Sequence, residues 1–440
     1  MRQTVLYLLV LVSSNIYAQY KSVTGSGAAF AKQKISIKGN DTFNEFIIGS
    51  AIADSLGKFT LNFDSKYRGA SVLQVDDVNK VVLLINNENV NVLWTDENDF
   101  KTLYIDSPEN QFFADGMEIY QSAASKQLGL EYLETLYKND PVKNHFFKTE
   151  LDTVKLQYSR FIDRVSDKMY AKKYLQWRGF ISDMPQTAQK YTDRFLTHEA
   201  YFSSIDFGDQ DLLTSGLLKD IIEGYTQLCE SLGKNVGSKH LTAAISHVMN
   251  NLTNKQEVMT AVSDMWFKFL EQRNQIEPAA FLATYMLNND KCIIDEKQID
   301  RYEQYRKMSI GNLAPNINLS EKSNLLKLDN DYKLVIFGAS TCPMCQEEYP
   351  LLIEKYKELK DNYNMEIVYI SLDKDPKAYS DFFKDSPFVT VYGGKGWETK
   401  TAKEYHVFAT PTLFLLDKNL KIIQKPENLA QAEAWLSNRY

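Results

Sequence analysis

The chain has 440 residues, 44% of them hydrophobic and 24% charged, which is ordinary globular material and more length than one core usually serves. With 57 acidic against 50 basic residues the formal net charge is -7, and no long basic run offsets it. Composition therefore predicts two or three domains and excludes nucleic acid as an expected partner.

At the start, Arg2 precedes an apolar run from Val5 to Val12 and a polar stretch ending at Ala18. One cation, a short apolar core and a small residue at the end predict a secretory signal peptide over residues 1–18. The run falls far short of the roughly 20 apolar residues that a spanning helix requires, and no later stretch reaches that length. The mature chain is thus expected to have no membrane span and to work in the periplasm or as a secreted protein, where disulfides persist.

Residues 19–115 alternate in short runs broken by turn residues. Phe59, Leu61 and Phe63 share one strand face, as do Val90, Val92 and Trp94, while Asp54-Ser-Leu-Gly57 and Asn86-Asn-Glu-Asn89 supply turns. This predicts an antiparallel β-sandwich. Across residues 116–307 the period changes to that of a helix, with Pro141, Pro185 and Pro278 the interrupting prolines. Leu218, Ile222, Tyr225 and Cys229 form one stripe and Val258, Val262, Met265, Trp266 and Phe269 another, so an all-α domain is expected, its stripes serving as core.

Over residues 308–440 strands and helices alternate. Lys333–Phe337 and Met365–Ser371 read as strands, Pro343–Lys360 as a helix between them, and Thr399–Tyr405 as a further helix. Strands Thr412–Leu416 and Lys421–Gln424 and a closing helix Leu429–Asn438 complete an α/β layer structure.

Within it lies "FGASTCPMCQEEYP", Phe337 to Pro350. Proline is favoured at the first position of a helix, so Pro343 makes Cys342 the N-cap, beside unpaired N–H groups and the positive end of the helix dipole. That location favours thiolate over thiol and makes Cys342 a usable nucleophile. Cys345 is one turn deeper on the same face, placed to attack a mixed disulfide on Cys342. Glu348, three residues further, falls on that face again. Partly buried, it would have a raised pKa and could exchange a proton with Cys345; as a solvated first-turn acid it would only complement the dipole. Pro350 cannot donate to the carbonyl of Gln346, which predicts a kink.

The strand "KLVIFGAS", the motif Cys342-Pro-Met-Cys345, the run "QEEYPLL" and the distant "YHVFATPTLFLLD" together resemble the thioredoxin fold, and within it the TlpA/ResA-like envelope thiol:disulfide oxidoreductases. "IGNLAPNINL" and "GGKGWETKTAKEYHV" fit the same subgroup. The resemblance implies that Pro411 is cis and packs against the cysteine pair, and that Thr410 presents backbone groups to an extended substrate. It implies no cofactor, envelope protein thiols or disulfides as clients, and a membrane electron donor feeding a reductant. Two departures stand out: Thr341 replaces the family's tryptophan before the first cysteine, and Ile336 replaces the buried aspartate of thioredoxin itself. The two preceding segments are similar to a β-sandwich domain and a helical domain, both of unknown function, found upstream of thioredoxin modules.

Other readings of the cysteines remain. A metal site needs about four ligands, whereas Cys229 and Cys292 are isolated and no histidine is close to the motif in sequence. Cys229 could be a buried helix cysteine, a free thiol or the partner of Cys292. A peroxiredoxin would carry Thr and Pro where this chain has Ala339 and Val335. A binding protein whose redox module senses or supports is the third class.

Overall fold

The computed structural model describes residues 20–75, 80–94, 102–190, 192–289 and 293–438. The stretch read as a signal peptide and Cys292 lie outside them. The chain forms two compact units that divide between Ser231 and Leu232, a point within the helical segment.

The first unit opens with strands β1 (Tyr20–Ser26), β2 (Lys34–Asp41), β3 (Asn44–Ile52), β4 (Lys58–Asp64), β5 (Arg68–Gln74), β6 (Lys80–Asn86), β7 (Val90–Trp94) and β8 (Thr102–Ile105). They form two sheets, β4-β1-β7-β8 and β3-β2-β5-β6. Alternation decides which side chains face inward: β4 buries Phe59, Leu61 and Phe63 and exposes the residues between them. These meet Ile35, Ile37, Leu73, Leu83 and Ile85 of the other sheet in one core, so the two sheets form a sandwich. All ladders are antiparallel except β1 with β7, which run parallel. At the β3–β4 turn, Asp54 Oδ1 accepts the N–H groups of Leu56 and Lys58 at 2.8 and 2.9 Å. Gly57 there takes φ +76°, where a Cβ would be strained.

Helices α1 (Pro108–Leu136), α2 (Pro141–Ile162), α3 (Tyr170–Gln189), α4 (Phe195–Ser204), α5 (Gln210–Leu213) and α6 (Leu218–Glu230) follow. Pro108 and Pro141 occupy first-turn positions, where a missing N–H costs nothing. The stripe Leu218, Ile222, Tyr225 and Cys229 is buried on α6.

The second unit begins with helices α7 (Lys234–Asn251), α8 (Gln256–Gln272), α9 (Ile276–Leu287) and α10 (Glu296–Lys307). Trp266 and Phe267 of α8 are fully buried, and Phe267 sits edge-on to Tyr302 and Tyr305 of α10, centroids 4.8 Å apart in both pairs. After them come β9 (Tyr332–Gly338), α11 (Pro343–Tyr363), β10 (Met365–Ser371), α12 (Pro376–Phe383), β11 (Val389–Tyr392), α13 (Lys400–Glu404), β12 (Thr412–Asp417), β13 (Ile422–Gln424) and α14 (Leu429–Ser437).

The five-stranded sheet runs β11-β10-β9-β12-β13, with β9, β10 and β11 parallel and β12 and β13 antiparallel to their neighbours. Its central strands are apolar on both faces because both are covered. One face buries Val335, Phe337, Val368 and Phe414 with Tyr405 and Met308. The other buries Leu334, Ile336, Ile367 and Tyr369 against Tyr349 and Leu352 of α11 and Leu429 of α14. Asn312, ahead of β9, accepts the N–H of Ile422 at 2.8 Å, and Gly311 donates to the Ile422 carbonyl at 2.7 Å. The residues before the sheet thus pair with its edge.

Two elements were absent from the pattern read in sequence. The helix α12 starts where Asp375 accepts the N–H of Lys377 at 3.0 Å, a cap followed directly by proline. The strand β11 is half-buried throughout and only four residues long, too short to show alternation. Pro350 is exposed inside α11, which continues on both sides of it.

Candidate active site

Where β9 ends, the chain turns through Ala339, Ser340 and Thr341 into α11. The N–H of Cys342 donates to the Ala339 carbonyl at 3.1 Å, and Cys342 is the N-cap, its Sγ accepting the N–H of Cys345 at 3.3 Å. As a thiol it also donates to the Thr410 carbonyl at 3.3 Å. Partial burial pushes this thiol upward, but hydrogen bonds with the side chains of Cys345 and Thr410 and with the N–H groups of Cys345 and Met344 outweigh it, so its pKa falls below the ordinary thiol value. Cys345 is 1% exposed, and burial pushes it up to about 11. The helix start therefore splits two chemically identical groups into a reachable, ionisable sulfur and a buried, protonated one.

The loop that carries Cys342 is held from the next strand. Asp373, just past β10 and buried, accepts the N–H and the hydroxyl of Ser340 at 3.1 and 2.7 Å and the hydroxyl of Ser371 at 2.7 Å. Gln346 donates to the Ser340 carbonyl at 2.6 Å. Sequence reasoning missed Asp373; its signal was an aspartate two residues beyond a buried strand end, where a functional loop has to be fixed.

Glu348 is half-buried on α11, and burial raises its carboxyl above the usual range. Its partner is the N–H of Leu429 at the start of α14, a position where the helix dipole favours a carboxylate. The Thr410-Pro411 bond is cis. The register Thr412 opposite Phe337 brings Thr410 and Pro411 to the end of β9 where α11 begins. So Cys342, Cys345, Thr410 and Pro411 converge, with Glu348 one turn further along the helix.

Beside them is a cavity of about 850 Å³ whose wall includes Met344, Glu348, Pro411 and Phe408, and also Ile276 and Tyr305 from the preceding helices. Tyr305 stacks on Phe408 at 5.7 Å between centroids. Lys425 lies at the same wall, its Nζ donating to the Met308 carbonyl at 3.0 Å. No motif in the helical segment announced that it would border this site, because stacking partners distant in sequence leave no local spacing signal.

Comparison with known proteins finds relatives of the redox module. A family model described as thioredoxin-like matches residues 330–422. The thiol-disulfide oxidoreductase ResA of Bacillus cereus is 30% identical over 130 residues, 28% of this chain and 73% of that protein. Human nucleoredoxin is 27% identical over 123 residues, and the chain spans only 28% of its length. Among solved structures, a thioredoxin-like protein from Bacteroides caccae aligns with 56% of this chain and 94% of its own at 19% identity and a TM-score of 0.43. A thiol-disulfide oxidoreductase from Bacteroides fragilis aligns with 29% of this chain and all of its own at 28% identity and a TM-score of 0.27.

Proposed function

Since the chain belongs to the thioredoxin-like thiol-disulfide oxidoreductases, we propose that it exchanges disulfides with proteins of the cell envelope, as a reductant, through Cys342 and Cys345. The observation that carries this reading is the split environment of the pair: Cys342 caps α11 with its pKa lowered, and Cys345 is buried one turn below with its pKa raised.

Cys342 thiolate attacks one sulfur of a client disulfide, and the other client sulfur leaves as a thiolate. Cys345 then loses its proton and attacks the Cys342 sulfur, which breaks the mixed disulfide and frees the second client sulfur. Two electrons pass to the client and the Cys342–Cys345 disulfide remains, to be reduced by a membrane electron donor. Glu348, its pKa raised by burial, takes the Cys345 proton and passes it to the departing sulfur. Thr410 and Pro411 shape the groove in which an extended client segment lies.

Export rests on the first 18 residues, whose single cation and short apolar run fit a signal peptide. Capture in a Cys345→Ser variant tests the whole reading. Clients should accumulate on Cys342 as mixed disulfides and be released by dithiothreitol. Recovery of the same proteins after both cysteines are replaced would instead mark a binding protein.

A further inference from the structure

Tyr369 projects from β10 into the face of the sheet that packs on α11. Its side chain is 1% exposed, and its ring is held by Phe383 and Tyr349, with centroids at 4.8 and 6.2 Å. The ring fills the core; the hydroxyl does not contribute to that packing. Its Oη is buried and has no nitrogen or oxygen partner, a state that ordinarily destabilises a fold.

The register explains what surrounds it. Tyr369 lies opposite Ile336, and Ser371 opposite Gly338. A Cβ at Gly338 would collide with Tyr369 Oη and sit 3.0 Å from Cys345 Sγ. The hydroxyl and the sulfur therefore share the space that a missing side chain leaves. Gly338 has no unusual backbone conformation to justify it, so room for these two atoms is its evident use.

We propose that Tyr369 is a catalytic residue of the resolving step, its hydroxyl donating a hydrogen bond to the Cys345 sulfur as that sulfur becomes a thiolate. Ile336 offers no polar atom here. Burial keeps the Tyr369 hydroxyl protonated far above the ordinary range, so it acts as a donor at every working pH. A hydrogen bond to a charged group gains more than one to a neutral group, and so favours the thiolate that attacks over the resting thiol. The proton follows the route given above, and Tyr369 neither loses nor gains one.

This inference rests on the disulfide-exchange reading, and an aromatic disulfide with a coloured thiol, 5,5'-dithiobis(2-nitrobenzoate), separates the two. The reduced protein should release two equivalents of coloured thiolate: the first by attack of Cys342, the second by resolution through Cys345. In Tyr369→Phe the first phase should keep its rate, while the second slows about tenfold or more and its pH profile moves to higher pH. Absence of a first phase in the wild-type protein would remove the exchange reading itself. Wild-type rate and pH profile in the second phase of Tyr369→Phe would overturn the role of the hydroxyl alone. Should Tyr369→Phe fail to fold, 3-fluorotyrosine placed at 369 supplies a stronger donor of the same shape. It should speed the second phase and move its profile to lower pH; an unchanged profile overturns the proposal.

Discussion

Asp373 receives both the backbone N–H and the hydroxyl of Ser340, at 3.1 and 2.7 Å, which ties the loop carrying Cys342 to the end of the neighbouring strand. The carboxylate anchors Ser340, two residues ahead of the nucleophile Cys342.

Asp373→Asn turns an acceptor-only group into one that presents N–H against two donors. Loss of these buried bonds should cost about 1–3 kcal/mol, read as a lower urea midpoint with unchanged slope. The alkylation rate of Cys342 should fall as well, because its cap geometry depends on this loop.

The two thiols should differ in the native protein. Cys342, with its lowered pKa, should react with iodoacetamide at pH 7 faster than a free cysteine. Cys345, buried and pushed up to about 11, should stay unlabelled until denaturant is added. Mass mapping of the labelled peptide reads both; equal labelling of the two would contradict the split.

Glu348→Gln keeps the oxygen that accepts from Leu429 and removes the acid. Resolution of the mixed disulfide should slow by about a hundredfold if the carboxyl carries the proton. Stability moves in the opposite sense. A carboxyl raised by burial contributes stability below the unfolded pKa and loses it as pH rises through the folded value. Glu348→Gln should therefore melt higher than wild type at pH 7 and alike at pH 4.

Lys425 is pushed down to about 8 by burial, with Glu277 opposing and Lys234 adding to the fall. Between pH 8 and its ordinary value of 10.5 the unfolded chain binds the extra proton, so wild-type stability rises with pH across that window. Lys425→Met removes the buried charge. It should be more stable than wild type at pH 7, by about 1–3 kcal/mol, with the advantage narrowing by pH 10 in urea titrations.

The sequence was most legible where one local rule acted alone. The alternation Phe59, Leu61, Phe63 named the buried face of β4, and Pro343 after Cys342 named the start of α11 and its cap. Cys342, Cys345 and the cis Thr410-Pro411 bond were readable from motif and resemblance together. What stayed hidden depended on pairing across the chain. Asp373 matters because Ser340 lies beside it, Tyr369 because Gly338 leaves a hole, and Tyr305 because Phe408 stacks on it. Strand β11 was too short to declare itself.

The pairing of Gly311 and Asn312 with Ile422 of the strand at one rim of the five-stranded sheet has a bearing on solubility. Exposed rims invite foreign backbone to zip on, and proteins commonly blunt them. Here the leader into the redox module takes up both backbone groups of Ile422 itself, so foreign backbone finds no free slot at that point of the rim.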